Sequence, residues 1–134
     1  MKAHVTQKKV PYIETTQLKA VYFSTFLQYF GLGIEEYLKS LGIPLTELIG
    51  REIFLGVVES FCQYKSFAEC DDILEIHTKI KELKEKTINF ESTIYRKDGH
   101  QLVASGYTIW VAYNKEKKAI KIPEEVMCLL EGSR

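Results

Sequence analysis

The stretch that decides the fold is residues 11–30, which read PYIETTQLKAVYFSTFLQYF. It leads from a polar strand end, through a bend at residues 17–20, into an apolar helix that starts near Ser24 or Thr25 and closes at Gly42. The first backbone N–H groups of a helix have no partner inside it, so they can donate to a polarised carbonyl.

The predicted helix is apolar on more than one side. The residues that recur at helical spacing are Phe26, Phe30, Ile34, Tyr37, Leu38 and Leu41. Gly31 and Gly33 lie inside it, where a glycine is unfavourable by about 1 kcal/mol relative to alanine. They predict a close approach of another backbone or of a ligand, although plain helix-on-sheet packing is the simpler interpretation.

The other elements follow from the alternation of apolar and polar residues. The sequence predicts strands at residues 5–14, 53–64, 74–81, 88–94 and 101–113, and short helices at 44–49 and from Pro123 onward. Period-two alternation indicates antiparallel strands with one wet face. Asp98-Gly99 predicts a hairpin turn in which this pair supplies the positive φ angles. The order predicts an α+β domain in which a continuous antiparallel meander curls around the helix.

Composition limits the class of function. The chain of 134 residues fits one domain, residues 1–134, and its hydrophobic content of 46% is enough for a compact core. Eighteen basic residues balance eighteen acidic ones, so no overall field favours nucleic acid or an anionic membrane. Residues 1–9 are polar and no long apolar run follows, so we expect a soluble, cytoplasmic protein without membrane insertion.

Cysteine and histidine patterns suggest no bound group. Cys62, Cys70 and Cys128 are odd in number, lie far apart and form no C-x-x-C pair, so neither a disulfide framework nor a zinc site is predicted. The histidines form no triad or metal-ligand grouping, and surface or structural roles are predicted for all three, His4, His77 and His100. The expectation is therefore a protein with no metal and no cofactor of its own.

Residues 12–30 resemble the opening motif of the hot-dog-fold acyl thioesterases, in the branch of the 4-hydroxybenzoyl-CoA thioesterases. Residues 63–64 with 70–76 are similar to the second and third strands of that branch, and residues 95–99 with 122–125 are similar to its last hairpin and tail. The resemblance implies the hot-dog fold, a curved five-stranded antiparallel sheet wrapped around one long helix. It also implies a homodimer or homotetramer with active sites between subunits.

The resemblance implies hydrolysis of an acyl thioester of coenzyme A, or of the phosphopantetheine arm of an acyl carrier protein. In that branch a backbone N–H at the start of the helix polarises the thioester carbonyl, while a carboxylate on the preceding loop attacks it or activates water. The position of that N–H falls on Phe23. A fixed donor and the helix dipole, aimed at a developing oxyanion, give the electrostatic stabilisation that dominates acyl transfer.

Both carboxylate positions of the resembled family hold other residues here. The family's loop motif is Asp-Thr-Asp, whereas this chain has Glu14-Thr15-Thr16, so Thr16 replaces the usual catalytic aspartate. A second branch carries its carboxylate about two turns into the helix, and that position is Gly31. The enediyne-type polyketide thioesterases lack both carboxylates too, so the chain is partially similar to them, although their helical arginines are absent.

Two other carboxylates are candidates for activating water. Glu14 lies two residues before Thr16, on the same face of a local strand and about 7 Å away, unless it is only a strand-end or cap residue. Glu59 lies in a mostly apolar strand, where it faces the crevice between subunits as a general base or pairs with a lysine across the sheet. Thr16 can position a water by hydrogen bonding but cannot act as a base.

Substrate-binding roles are predicted for Tyr22, Tyr29, Gly31, Tyr64 and Lys65. The two tyrosines of the helix segment line the acyl pocket, unless they only pack in the core or an interface. The family's two phosphate-binding arginines are missing after Tyr64, so Lys65 and a lysine cluster at residues 79–86 are the groups left to bind coenzyme A. An acyl carrier protein is therefore a serious rival as donor.

The sequence leaves three functions open. A hot-dog acyl thioesterase is the first. An acyl-thioester binding or scaffold protein that has lost catalysis is the second, because both family carboxylates are missing. Hydration or dehydration of an enoyl thioester ranks last, because the histidine and carboxylate pair expected on the helix is absent.

Overall fold

Five strands and three α-helices make up the structure, a computed structural model that describes residues 3–134. The elements are β1 (His4–Lys9), α1 (Thr25–Ser40), α2 (Leu45–Gly50), β2 (Phe54–Tyr64), β3 (Ile73–Leu83), β4 (Thr87–Arg96), β5 (Leu102–Tyr113) and α3 (Glu124–Gly132). The part of the polar N-terminal prediction that concerns Met1 and Lys2 lies outside the described residues.

The strands form one antiparallel sheet in the order β1-β3-β4-β5-β2. The five-stranded sheet and the α+β class are therefore confirmed, but the continuous meander is wrong. Only β3, β4 and β5 follow one another as hairpins, whereas β2 pairs with β5 from Phe54↔Tyr113 to Tyr64↔Ala104. Alternation shows which face of a strand is buried, but it does not show which strand is the neighbour.

Helix α1 packs across the inner face of the sheet and closely approaches β3 at Gly33. A Cβ on Gly33 would lie 2.5 Å from Thr78 Oγ1 and 2.7 Å from Ile76 Cγ2. The contact at Gly33 is therefore close, but side chains of β3 make it and not a backbone or a ligand, so the simpler interpretation, helix-on-sheet packing, applies to Gly33. A Cβ on Gly31 would meet nothing within 4 Å, so no part of residues 3–134 approaches closely there.

Two apolar clusters fill the space under the helix. The first lies beneath the N-terminal half of α1 and includes Phe26, Phe30 and Ile76. The second lies beneath its C-terminal half and is covered by α2 and α3, with Leu38 and Leu130 among its fully buried side chains. Because the core continues on either side of Gly33, the helix is fixed along its whole length.

The ends of α1 differ in how they are closed. At the C-terminus, Gly42 has a φ of +82°, its N–H donates to Lys39 O at 3.1 Å, and the Ile43 N–H donates to Leu38 O at 3.1 Å. This Schellman motif confirms the predicted stop. At the N-terminus the predicted side-chain cap is wrong, because Ser24 precedes the helix but makes no capping hydrogen bond.

Two other local predictions are wrong. Strand β1 ends at Lys9, not at Glu14, and Tyr12–Glu14 forms a short 3₁₀ turn after Pro11, which has no N–H to donate to a ladder. Glu14 and Thr16 therefore do not share the face of a strand.

In the turn between β4 and β5 the positive φ angles occur at Gly99 (77°) and His100 (49°), one residue later than the Asp98-Gly99 pair predicts. Cys62, Cys70 and Cys128 are free cysteines in the structure. Among residues 3–134 no helix has both the length and the apolar character needed to cross a bilayer.

Candidate active site at the start of the long helix

Two backbone amides are unpaired where α1 begins. Tyr22 N–H donates to Glu14 O at 3.3 Å, and Thr25 N–H donates to Tyr22 O at 2.9 Å. Between them, the N–H groups of Phe23 and Ser24 make no hydrogen bond with any of residues 3–134. Because Ser24 already has helical angles and its side chain does not cap, both donors remain available at the positive end of the helix dipole.

A largely apolar pocket of about 260 Å³ opens beside these amides. Its lining residues are Val21, Phe23, Phe26, Tyr64, Lys65, Ser66, Phe67 and Ala68. The Tyr64 ring lies 6.4 Å from the Phe23 ring and 5.7 Å from the Phe26 ring, centroid to centroid. The structure thus brings together three residues predicted for the site, one from the start of α1 and two from the end of β2.

The crossover between β2 and β3 forms one wall of this pocket. Lys65 and Ser66 donate their N–H groups to Val103 O on β5 at 2.8 and 3.2 Å, and Val21 N–H donates to Ala68 O at 2.8 Å. The sequence-based prediction stopped at Lys65 and missed the rest of this wall. A signal was present in Phe67, an aromatic residue between two strands that is 77% exposed in the folded chain.

The Glu14 carboxylate is held at the base of the loop that precedes α1. The Tyr29 hydroxyl donates to Glu14 Oε1 at 2.5 Å, and Lys8 Nζ lies 3.6 Å from Glu14 Oε2. Burial raises the pKa of Tyr29, and the hydrogen bond and charge of Glu14 raise it further. Tyr29 is only 2% exposed, packs in the core and does not line this pocket of the single chain.

Thr16 lies in a tight turn before the helix, beside Glu14 but on the surface. Its N–H donates to Ala20 O and its carbonyl accepts from Lys19 N–H, both at 2.8 Å. Tyr22 is 53% exposed, its ring lies tilted against the Phe23 ring at 4.8 Å between centroids, and it does not line the pocket of the single chain.

Gly31 lies farther along α1, is partly exposed and does not line the pocket. The structure thus does not bring this predicted substrate-binding residue together with Phe23, Tyr64 and Lys65.

Glu59 lies away from the pocket of its own chain. It is exposed on β2, five residues before Tyr64, which is about 16 Å along an extended strand. Its carboxylate accepts a hydrogen bond from the Tyr107 hydroxyl, so the predicted pairing with a lysine is wrong. That bond, followed by burial and the charge of Glu59, raises the pKa of Tyr107.

Three of the four lysines at residues 79–86 contact a carboxylate or an aromatic ring on or beside the solvent-exposed face of the sheet. Lys79 Nζ lies 3.3 Å from Glu91, Lys84 Nζ lies 3.6 Å from Glu82, and Lys81 Nζ lies 5.6 Å from the centre of the Tyr107 ring. Lys65, in contrast, makes no salt bridge within the part of the chain that the structure describes. It is therefore the cation available at the pocket. In the same residues no three His, Cys, Asp or Glu side chains cluster as a metal site.

The profile of the Thioesterase-like superfamily matches residues 17–130, which include the start of α1, the pocket wall and the whole sheet except β1. The chain belongs to this superfamily. An acyl-CoA thioesterase of Haemophilus influenzae, YbgC, is 30% identical over 121 residues, which cover 88% of this chain and 87% of the relative.

Solved structures show the same fold. A hypothetical protein from Thermus thermophilus is 27% identical, with a TM-score of 0.92 over 98% of this chain and 99% of the other. A gentisyl-coenzyme A thioesterase is 28% identical, with a TM-score of 0.84 over 92% and 98%. The curved antiparallel sheet around α1 is therefore the hot-dog fold, and the chain is a thioesterase of this superfamily.

Proposed function

We propose that this thioesterase hydrolyses an acyl thioester of coenzyme A or of an acyl carrier protein at the start of α1, with the Phe23 N–H polarising the carbonyl. The observation that carries this proposal is the pair of unpaired amides, on Phe23 and Ser24, at the edge of an apolar pocket. A donor fixed by the fold needs no reorganisation as negative charge develops on the thioester oxygen.

The reaction proceeds by addition and elimination. Water adds to the carbonyl carbon, the carbonyl electrons move to oxygen, and the Phe23 N–H donates a hydrogen bond to the resulting oxyanion. When the carbonyl re-forms, the carbon–sulfur bond breaks and its electron pair leaves on sulfur. The proton taken from water returns to the thiolate, so the products are a carboxylic acid and a free thiol.

We assign the removal of the water proton to Glu14. Its carbonyl accepts the Tyr22 N–H immediately before Phe23, which keeps Glu14 beside the amide in space. Its carboxylate is fixed on one oxygen by Tyr29 and retains further acceptor capacity for a water. Thr16, on the same loop, positions that water through its hydroxyl. Glu59 is the alternative base, and it would reach a pocket only in a partner subunit.

The pocket chemistry favours an apolar acyl group with the carrier arm at the exposed rim. Four lining side chains are aromatic, and Lys65 offers an unpaired ammonium for a phosphate or for an acidic carrier surface. The YbgC relative is an acyl-CoA thioesterase and the gentisyl-coenzyme A thioesterase acts on an aromatic acyl group. We therefore propose aromatic acyl thioesters as the first substrates to test.

A homodimer, or a tetramer built from dimers, is the proposed assembly. Strand β2 ends the sheet, so along residues 3–134 its outer edge has no neighbouring strand. The strand also exposes apolar side chains, with Val57, Val58, Phe61 and Tyr64 between 44 and 63% exposed. A long apolar edge strand pairs readily with another chain, and here a second copy would also cover the end of the pocket near Tyr64.

A second candidate function is binding of acyl thioesters without hydrolysis. The residues that favour it are Thr16 and Gly31, which stand where the two known branches carry carboxylates. Release of free thiol from short, long, aromatic and β-keto acyl thioesters of coenzyme A and of a carrier protein separates the two. Turnover of at least one of them supports the hydrolase, whereas tight binding without thiol release supports the binding protein.

A further inference from the structure

Arg96, the last residue of β4, reaches the crossover that forms the pocket wall. Its Nε donates to Asp72 Oδ2 at 3.2 Å, its Nη1 donates to Gln101 Oε1 at 2.8 Å, and its Nη2 donates to the Phe67 carbonyl. One guanidinium therefore joins the pocket wall, the start of β3 and the start of β5. The crossover itself, residues 65–72, has no helix or strand to hold its shape.

Asp72 holds the crossover together with Arg96, and we call this pair the clamp. The same Oδ2 atom that accepts from Arg96 also accepts the Glu69 N–H at 2.8 Å, so the crossover is held at residues 67, 69 and 72. The Arg96 and Asp72 side chains are each 26% exposed, which shields the pair from water more than a surface ion pair. A planar guanidinium serves several acceptors at fixed angles, which a lysine ammonium does not.

The clamped crossover is joined directly to the loop that ends at Phe23. Val21 N–H donates to Ala68 O, and Cys70 N–H donates to Lys19 O, both at 2.8 Å. These two bonds pair the crossover with residues 19–21, two positions before the proposed oxyanion donor. A displacement of the crossover would therefore be transmitted to the Phe23 amide through main-chain hydrogen bonds.

We propose that Arg96 is a positioning residue for the thioesterase reaction. Through Phe67 and Asp72 it fixes the pocket wall, and through the Ala68 carbonyl it fixes the distance between that wall and the Phe23 amide. Arg96 does not line the pocket, so it acts without touching the acyl group. This inference rests on the proposed function, because it assigns Arg96 a role in the same site.

The kinetic test compares Arg96→Ala, Arg96→Lys and a matched control, Arg51→Ala. Arg51 also bonds two carboxylates, those of Glu47 and Glu125, but it links α2 to α3 and lies outside the pocket lining. For Arg96→Ala we expect kcat/KM to fall by roughly 10- to 100-fold, because small misplacements of reacting groups are costly. Arg96→Lys should recover part of this loss, and Arg51→Ala should stay within about twofold of the parent.

A second measurement does not depend on activity. Amide hydrogen exchange by NMR should show faster exchange at Val21 and Cys70 in Arg96→Ala, while amides of β4 and the C-terminal half of α1 keep their protection. This selective change, together with the kinetic loss, supports the positioning role. A uniform loss of protection, or unchanged exchange at Val21 and Cys70, overturns it. If the parent protein cleaves no thioester, the proposed function fails, while the exchange result still decides whether Arg96 holds the crossover.

Discussion

The Tyr29 hydroxyl donates a 2.5 Å hydrogen bond to Glu14 Oε1. This bond ties the second turn of α1 to the loop in front of the helix. It fixes one oxygen of the carboxylate to which we assign the water proton, and the Glu14 carbonyl accepts the N–H of Tyr22, the residue before Phe23. We expect Tyr29, which packs in the core, to hold Glu14 in place through this bond.

Replacing Glu14 by glutamine tests the assignment of the base. We expect Glu14→Gln to lower kcat by about 100- to 10,000-fold, the usual contribution of a general base, because the amide cannot accept the water proton. The control is Glu35→Gln, an exposed carboxylate on α1. Steady-state thiol release measures both. Equal kcat values for Glu14→Gln and the parent, with a large loss in Glu59→Gln instead, would transfer the assignment to Glu59.

The raised pKa of Tyr29 predicts how stability depends on pH. Below about pH 10, the ordinary pKa of tyrosine, the phenol is neutral in both the folded and the unfolded chain, and its full contribution is present. As the pH rises above 10, the unfolded chain loses this proton first because burial and Glu14 raise the folded-state pKa. The free energy of unfolding should therefore fall.

Urea unfolding between pH 8 and about pH 11.5 measures this effect in the parent and in Tyr29→Phe. The parent should lose stability more steeply above pH 10 than the variant, which lacks the Tyr29 phenol but keeps the other seven tyrosines. Parallel curves for the two proteins would show that the Tyr29 proton is not held more tightly by the fold.

Gly33 and Gly31 give a matched pair of alanine substitutions in one helix. Gly33→Ala should destabilise the fold by about 1–3 kcal/mol, because the added Cβ would overlap Thr78 Oγ1 and Ile76 Cγ2. Gly31→Ala places its Cβ in open space and should stabilise the helix by up to about 1 kcal/mol. Thermal unfolding measures both values, and an equal effect of the two substitutions would contradict the close packing at Gly33.

The exposed edge of β2 predicts association through this strand. Val58→Lys places a charge on an apolar residue that is 63% exposed, and we expect it to shift the oligomer toward monomer. Ile49→Lys, on α2 and 54% exposed, is the control for adding a lysine to the surface. Light scattering after size-exclusion chromatography measures the mass. A monomeric parent, or an oligomer unchanged by Val58→Lys, would argue against this edge.

Local patterns in the sequence predict most of the fold, because each element has its own periodicity. The exposed and buried faces of β3 and β4 and the stop at Gly42 follow from nearby residues. The position of β2 in the sheet does not follow from nearby residues. Strand order depends on the crossover between β2 and β3, and tertiary contacts such as Arg96 with Asp72 fix the path of that crossover.

Some residues of the candidate site could be predicted from the sequence and others could not. Phe23, Tyr64 and Lys65 come from the resemblance to the thioesterase family, because they stand at positions of its motifs, and the structure brings these three residues together at one pocket. Residues 66–68 and the pairing of Tyr29 with Glu14 depend on a loop conformation and on a contact between residues fifteen positions apart, which spacing does not encode.

The most direct test of the central claim removes the Phe23 N–H. Phe23→Pro deletes the donor and the ring, whereas Phe23→Ala deletes only the ring, so the ratio of their kcat values for thiol release isolates the amide. With both variants shown to be folded by circular dichroism, we predict that Phe23→Pro is about 100- to 1,000-fold slower than Phe23→Ala, the usual cost of losing one oxyanion donor. Equal kcat values for the two variants would contradict the claim that this amide stabilises the reaction.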